Sequence, residues 1–315
     1  DESTITLAGK RDQIELLTEV AKLLEHSLQE YERAFDINMR RLEFQPDDQE
    51  TLVDLKRLAG QTNRWAELTA LLSEFSYTGS REVTPSVQQT LSRALAQISE
   101  KELDDLHQAR DVWEQILTEE GDQLTALDEV VRLSEHLEDW PALIDILDRT
   151  VSVVETNEER LTRLHRLAQL WQDQVQQSDE AINVYQRILE LESRDRHAVD
   201  QVESLLRSES RYSDLANHYL RRVELVTEDL ENASVAQADS TQDDSTQDSV
   251  QALIKLRYQL ALLYNNQLDE PQSALDWLVD NLDLSEHKVE NLHVESVTLV
   301  EQMLVTYHDG SSESR

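Results

Sequence analysis

The chain has 315 residues, with 29 Lys plus Arg against 65 Asp plus Glu, a formal net charge of −36 with His neutral. A field of that sign repels nucleic-acid phosphates and anionic membrane surfaces; it suits a solubilising surface or a basic protein partner. No cysteine occurs, which excludes disulfides, thiolate metal sites and a cysteine nucleophile. Gly, Pro and Phe number only five, four and three, so helix formers fill the chain and the reading is nearly all α. No apolar run approaches the ~20 residues that cross a bilayer, so no membrane insertion is expected. The opening DESTITLAGK lacks the basic and apolar regions of a signal peptide. Because the first residue is Asp, the chain is read as processed or as part of something longer. Compartment stays open, with the cytoplasm favoured and an extracytoplasmic site not excluded.

In chain order, residues 1–10 carry no periodicity and read as a flexible N-terminus. A first repeat unit spans 11–80, with Pro46 before its third helix and Gly60 closing that helix. A second spans 81–155: Thr84-Pro85 gives an N-cap and a proline at the first helical position, Gly121 separates two helices, and Pro141 opens another. The third, 156–227, reads as four amphipathic helices. Leu161, Leu164, Leu167, Ala168, Trp171 and Val175 share a face of its first helix; Ala181, Val184, Tyr185, Ile188 and Leu189 share a face of its second. Residues 228–249, EDLENASVAQADSTQDDSTQDS, hold a tandem DSTQD and no basic residue, which argues for an acidic disordered insertion. A partial fourth unit spans 250–307, with Pro271 opening its second helix and a third helix around Val289 to Tyr307; 308–315 is a polar, flexible tail.

The units are tied by spacing. Ala pairs at positions i and i+13 recur as Ala21/Ala34, Ala96/Ala109, Ala168/Ala181 and Ala261/Ala274, and Leu42, Leu117, Leu189 and Leu282 each follow the second Ala at i+8. Small residues on both helices of a pair let the backbones approach, so this is a packing signature. In the second half of each unit an aromatic, Trp65, Trp140 or Tyr212, stands at i+13 from Leu52, Leu127 or Val199.

The segment LAQLWQDQVQQSDEAINVYQRILEL resembles the tetratricopeptide repeat, with Ala168 and Ala181 at its two small positions, Trp171 at the first-helix aromatic and Tyr185 at the second. LALLYNNQLDEPQSALDWLVDNL matches with Ala261, Tyr264 and Ala274. Unit two keeps Ala96, Ala109 and Trp113 but has Ser99 for the first aromatic; unit one has Leu24 and Asn38 in the aromatic places. The small residues are 13 apart where the family has 12, and the unit period of 72 to 75 reads as two repeats of some 37 where the family has 34. Degenerate arrays of this spacing look like those of large bacterial repeat proteins. The resemblance implies an all-α solenoid of antiparallel helix pairs, a tetratricopeptide-like superhelix of about fifteen helices.

It also implies that partners lie along a groove lined by the first helix of each pair. Three residues before and one after the first Ala, this places Arg93 and Gln97, His165 and Gln169, and Tyr258 and Leu262 there; the competing reading is ordinary solvated helix positions. The unit-one equivalents Thr18 and Lys22 do not make the Lys/Asn set that grips a terminal carboxylate. Arg160, Arg163 and Arg166 recur every three residues and could receive an acidic partner, though pairing with Glu158, Glu159 or carboxylates near Asp173 is the plainer expectation. No HExxH, EF-hand, phosphate-binding loop or G-x-S-x-G occurs, so no metal, cofactor or catalytic residue is expected. The resulting expectation is a non-catalytic scaffold or adaptor binding a protein or peptide partner, a basic one by charge, with no nucleic acid bound. The alternatives are a structural segment of a longer self-associating array or filament, and a regulatory part of a larger enzyme.

Overall fold

The structure is a computed structural model that describes residues 2–76, 83–236 and 244–285, with side chains described in 12–76, 83–232 and 248–279. It divides into two compact units, residues 1–163 and 164–315. The first holds α1 (Glu2–Lys22, continued by a π turn Leu23–Ser27), α2 (Tyr31–Phe44), α3 (Gln49–Thr62), α4 (Trp65–Ser76), α5 (Pro85–Lys101), α6 (Leu106–Glu120), α7 (Leu124–His136), α8 (Trp140–Val153) and the start of α9 (Asn157–Gln169). The second holds the rest of α9 with a π turn Leu170–Val175, then α10 (Ser178–Leu191), α11 (Arg196–Ser208), α12 (Tyr212–Ala236), α13 (Asp244–Asn266) and α14 (Pro271–Ser285). No strand occurs among the described residues. In each unit helices pack in series against their neighbours, α1 on α2, α2 on α3 and so on, the tetratricopeptide-like all-α arrangement. Odd-numbered helices are the first of each pair and even-numbered ones the second.

Among the described residues, seven turns join the two helices of a pair, and each contains one non-glycine residue in the left-handed region: Gln29, Asn63, Asp104, Glu138, Gln176, Ser210 and Asp269. Such a residue reverses the chain after a helix and frees the next amide to bond back to an orphan carbonyl. After α3, α7 and α11 that amide reaches back to i−5, as in Arg64 N–H to Ala59 O, Asp139 N–H to Ser134 O and Arg211 N–H to Leu206 O. After α1, α5, α9 and α13 it reaches back to i−6, as in Glu30 to Leu24, Asp105 to Ser99, Gln177 to Trp171 and Glu270 to Tyr264. The wider turn takes up an extra residue, and at the ends of α1 and α9 it is drawn out into a π turn. The two kinds of turn alternate, which is why the sequence repeats over two pairs and not one. Gln29 and Asn63, Asp104 and Glu138, and Gln176 and Ser210 all stand as i and i+34, the family spacing. This corrects the even division of each unit into two equal long repeats: the surplus sits wholly in the connections between units.

Left-handed backbone costs an L-residue about 1–2 kcal/mol because Cβ crowds the next carbonyl. At Glu138, whose side chain is exposed, Glu138→Gly is therefore expected to be neutral or to stabilise by up to about 1 kcal/mol, after the extra unfolded-chain freedom of glycine is subtracted. Glu138→Val should cost about 1–2 kcal/mol, since a β-branched residue is worst there. Thermal denaturation of the pair decides this; equal midpoints would refute the strain argument.

Several boundary expectations change. Gly60 does not close α3, which runs on to Thr62 and is capped by the left-handed Asn63; a Cβ on Gly60 would sit 3.4 Å from Trp65 Cζ2, so the glycine leaves room for that indole. Residues 2–10, read as flexible, continue α1. Of the segment read as a disordered insertion, 228–236 extend α12 and 244–249 begin α13, because an acidic Ala/Ser/Gln sequence adjoining an amphipathic helix can propagate the helix without burying anything of its own. The remainder of that segment, the helix around Val289 to Tyr307 and the tail 308–315 lie outside the described residues.

The core follows the small-residue pattern. Ala34, Ala96, Ala109, Ala168, Ala181, Ala261 and Ala274 are all buried, and Leu42, Leu55, Leu58, Leu68, Leu95 and Leu127 are fully enclosed around them. Where the family aromatics are missing, buried Leu24 fills one place and hydrogen-bonded polar groups fill the others. Asn38 Nδ2 donates to Ala34 O (2.9 Å) and its Oδ1 accepts from Arg41 Nη1 (2.6 Å), while Arg41 Nη2 pairs with Asp48 at 3.3 Å. Ser99 Oγ donates to Gln108 Oε1 at 2.7 Å. Asn38 and Ser99 are thus compensated locally, as burial demands, while Arg41 Nε is buried without a hydrogen-bond partner.

Candidate partner-binding surface

The side chains expected in a groove sit where ion pairs link each helix to the one two places along. Arg57 on α3 reaches back to Glu25 in the π turn of α1, Arg64 pairs with Asp36 on α2 at 2.7 Å, Arg110 on α6 with Asp139 before α8 at 2.6 Å, and Arg132 on α7 with Glu100 on α5 at 2.7 Å. In the second unit Arg211 pairs with Asp179 in the same way. Such partly exposed pairs are worth about 0–1 kcal/mol each. Their sequence separations cluster near the repeat length, so they are spacers between like helices.

Several candidates belong to this ladder. Arg93 on α5 donates to Gln123 Oε1 at 3.2 Å, with Glu120 at 3.9 Å. Arg163 donates to Asp128 Oδ1 on α7 at 3.0 Å, and Arg160 caps α8 by donating to Val151 O (3.2 Å) and Val154 O (2.9 Å). The expected pairing of Arg160 and Arg163 with Glu158 and Glu159 is thereby corrected: both guanidiniums reach across to the preceding helices, Arg160 to two carbonyls at the end of α8 and Arg163 to the Asp128 carboxylate. Arg166 is half-buried.

His165 Nε2 lies 2.8 Å from Asp195 Oδ2, and its ring is tilted against His197 at 5.5 Å. Asp195 is the N-cap of α11, accepting from Ala198 N–H at 2.8 Å. Burial alone would raise its carboxyl, but the Ala198 N–H and His165 hold it below the ordinary carboxylate range. His165 therefore orients a helix cap. Tyr258 on α13 packs against the buried Ala261, Ala274 and Leu278. Gln97 and Gln169 remain exposed. The structure thus leaves those two glutamines as the solvent-facing members of the candidate set and places Arg93, Arg163, His165 and Tyr258 in contacts between helices.

A feature that the repeat pattern did not reveal lies in the second unit. A cleft of about 280 Å³ formed by α10, α11 and α12 is lined by Leu189, Val199 and Leu225 on its apolar side and by Arg211, Asn217, His218, Arg221 and Arg222 on its polar side. His218 Nε2 is buried without a hydrogen-bond partner. Burial, then the neighbouring Arg222 and Arg221, push the imidazole down to about 4 against the pull of Glu203. The neutral form is thus favoured in the fold, so its contribution to stability is full above the ordinary imidazole value of about 6.5 and is lost as pH falls through 4. A His218 resonance titrating near the ordinary value in the folded chain would contradict this placement. The sequence signal was the run RYSDLANHYLRR, whose basic residues crowd one helix of an acidic chain.

Among the described residues no group of three His, Asp or Glu is arranged to hold a metal ion, and no helix is long and apolar enough to cross a membrane.

No protein-family model matches the chain, and a search of curated proteins finds no match. Among solved structures it is similar to a tetratricopeptide repeat protein from Parabacteroides merdae, with 13% identity, 91% of this chain and 99% of that one covered, and a TM-score of 0.33. It is similar to YrrB, described as a TPR protein with an unusual peptide-binding site, at 14% identity, 66% and 91% coverage and a TM-score of 0.29. The TPR2AB domain of yeast Sti1 in its pHSP90 complex matches at 11% identity, 93% and 97% coverage and a TM-score of 0.31. The tetratricopeptide-like character of this chain is carried by its own paired helices, small-residue core and regular turn spacing.

Proposed function

We propose that the chain is a non-catalytic scaffold that binds a protein or peptide partner along the exposed side of the first helices of its pairs. The observation that carries this reading is the division of labour on those helices: alanine and leucine faces are spent on the core, charged side chains on spacing the pairs, and Gln97 and Gln169 remain at the surface with no hydrogen bond among the described residues. Amide side chains on rigid helices can satisfy a peptide backbone, and a surrounding field of net charge −36 would steer a basic ligand. Capture of a Lys/Arg-rich peptide by the full chain, compared at low and high salt, tests it. Affinity should fall with salt and with Gln97→Ala or Gln169→Ala. Capture indifferent to both substitutions would remove this surface from the reading.

A second reading, a structural segment of a longer self-associating array, rests on a different observation. Leu16 on α1 and Leu23 in the π turn that continues it are 61% and 56% exposed, whereas Leu91 and Ile98, which hold the same repeat positions one unit on in α5, are 1% and 4% exposed. α5 has α4 packed against it. An α1 face built like that of α5 is suited to receive another helical pair in the way α5 receives α4. Light scattering across concentration should show association that Leu16→Asp with Leu23→Asp abolishes; a monomer at every concentration sinks this reading.

A further inference from the structure

We propose that the cleft between α10, α11 and α12 binds a phosphate monoester, its phosphoryl group held by Arg221 and Arg222 and its organic part lying on Leu189, Val199 and Leu225. This proposal stands apart from the scaffold reading, since none of the residues assigned to partner binding there lines the cleft.

The chain as a whole repels anions, so a local concentration of cations calls for a reason. Within the cleft Arg211, Arg221 and Arg222 face a single carboxylate, Asp214. Arg211 is already engaged, donating to Asp214 at 2.7 Å and to Asp179. Arg222 is held only at 3.7 Å by Glu203, too long for a hydrogen bond. Arg221 makes no ion pair or hydrogen bond among the described residues, and its side chain is exposed at the mouth of the cleft. Two arginines of the cleft lining, one weakly occupied and one unoccupied, are therefore available.

The charge of the ligand follows from what it must displace. A carboxylate would compete on equal terms with Glu203 and Asp214, each also a monoanion. A phosphate dianion carries about −1.5 to −2 charges and three acceptor oxygens, and it offers both guanidiniums hydrogen-bonded pairs that Glu203 does not. Asn217 adds a neutral amide at the rim. The apolar side argues for an ester over the free anion, because Leu189, Val199 and Leu225 have nothing to offer a bare phosphate and can shield an organic substituent from water. Leu189 is telling here: it occupies the position at which Leu42 and Leu117 are buried in the other units, yet it is only half-buried, and it lines the cleft.

His218 supplies the readout. The charged groups around it are Arg211, Asp214, Arg221 and Arg222 on and beside α12 and Glu203 on α11. A dianion on Arg221 and Arg222 would offset the two cations that disfavour the imidazolium, so occupancy should move the His218 midpoint upward from about 4.

The experiment uses the full chain with three probes: inorganic phosphate, a phosphoserine peptide, and the same peptide with glutamate in place of phosphoserine. The expected result is saturable binding of the phosphoserine peptide with a Kd of about 1 mM or tighter. The His218 resonance should titrate higher in its presence, and binding should weaken about tenfold or more in Arg221→Ala and in Arg222→Ala, while Arg132→Ala in the first unit leaves it unchanged. A phosphoserine peptide that binds more tightly than inorganic phosphate carries the proposal, whereas phosphate binding as tightly as the peptide would show that the apolar side contributes nothing and overturns the ester. Absence of saturable binding, equal binding of the glutamate peptide, or binding that survives Arg221→Ala overturns it. Because the exposed Arg221 side chain has no described partner, its removal cannot be confused with a folding defect, and circular dichroism of the variant checks the point.

Discussion

Truncating Tyr185 to alanine is expected to cost the second unit about 3–5 kcal/mol, the range for deleting a fully buried aromatic. Tyr185 is 1% exposed on α10, its hydroxyl is 3.3 Å from Gln172 Oε1 in the π turn after α9, and its ring meets His197 of α11 edge-on at 6.0 Å. It therefore joins three successive helices, and nothing nearby can collapse into the void without moving one of them. Stacked helical pairs depend on their nearest neighbours, so the damage should be local: amide exchange should quicken in α10 and α11 and stay slow in α3 to α6. Tyr185→Phe keeps the ring and should cost only about 1 kcal/mol for the lost hydrogen bond. The same pair of variants has a pH signature. Burial pushes the phenols of Tyr185 and Tyr219 up to about 12, so the stability they contribute is complete below the ordinary phenol value near 10 and is lost as pH rises through 12. Tyr185→Phe should accordingly lose less stability than the parent between those limits. A Tyr185→Ala cost under about 1 kcal/mol would mean that the site is looser than its burial indicates.

Enlarging Ala274 to leucine is expected to destabilise the α13–α14 pair by about 1–3 kcal/mol through overpacking. Ala261, Ala274 and Leu278 form a buried cluster between the two helices, with Tyr258, Tyr264, Leu275 and Trp277 packed around it. Ala261 and Ala274 are both fully enclosed, so a larger side chain at either must push the helices apart or expel an aromatic. Val279→Leu, at a position 52% exposed on the same helix, serves as the control and should be neutral. Thermal unfolding and amide exchange of α13 and α14 discriminate the two. If Ala274→Leu behaved like the control, the recurring alanines would not be what sets the distance between paired helices.

The repeat could be found from residue types alone because its determinants are short-range. Ala21, Ala34 and their successors mark where two helices approach, and Trp65, Trp140 and Tyr212, singled out by spacing, prove to be the first residues of α4, α8 and α12. The turns were legible only in part. A left-handed Asn63 is a familiar capping choice, but Gln29, Glu138, Gln176 and Ser210 carry no such mark; the need to reverse the chain imposes that conformation on whatever residue stands there.

The candidate surface was less visible still. His165 and Arg163 look like free polar groups along the chain, and their partners, Asp195 and Asp128, stand about one repeat away in sequence. Sequence periodicity can say that a side chain leaves the apolar face of its own helix. It cannot say whether the next helix but one presents a carboxylate at the height where that side chain ends. Helical pairing, core alanines and acidic charge were therefore settled by the order of residues, since each depends on contacts within a pair or on composition. Which cations are spent on spacing the pairs, and which, like Arg221, are left over beside a cleft, depends on how the pairs stack, and only packing in three dimensions decides that.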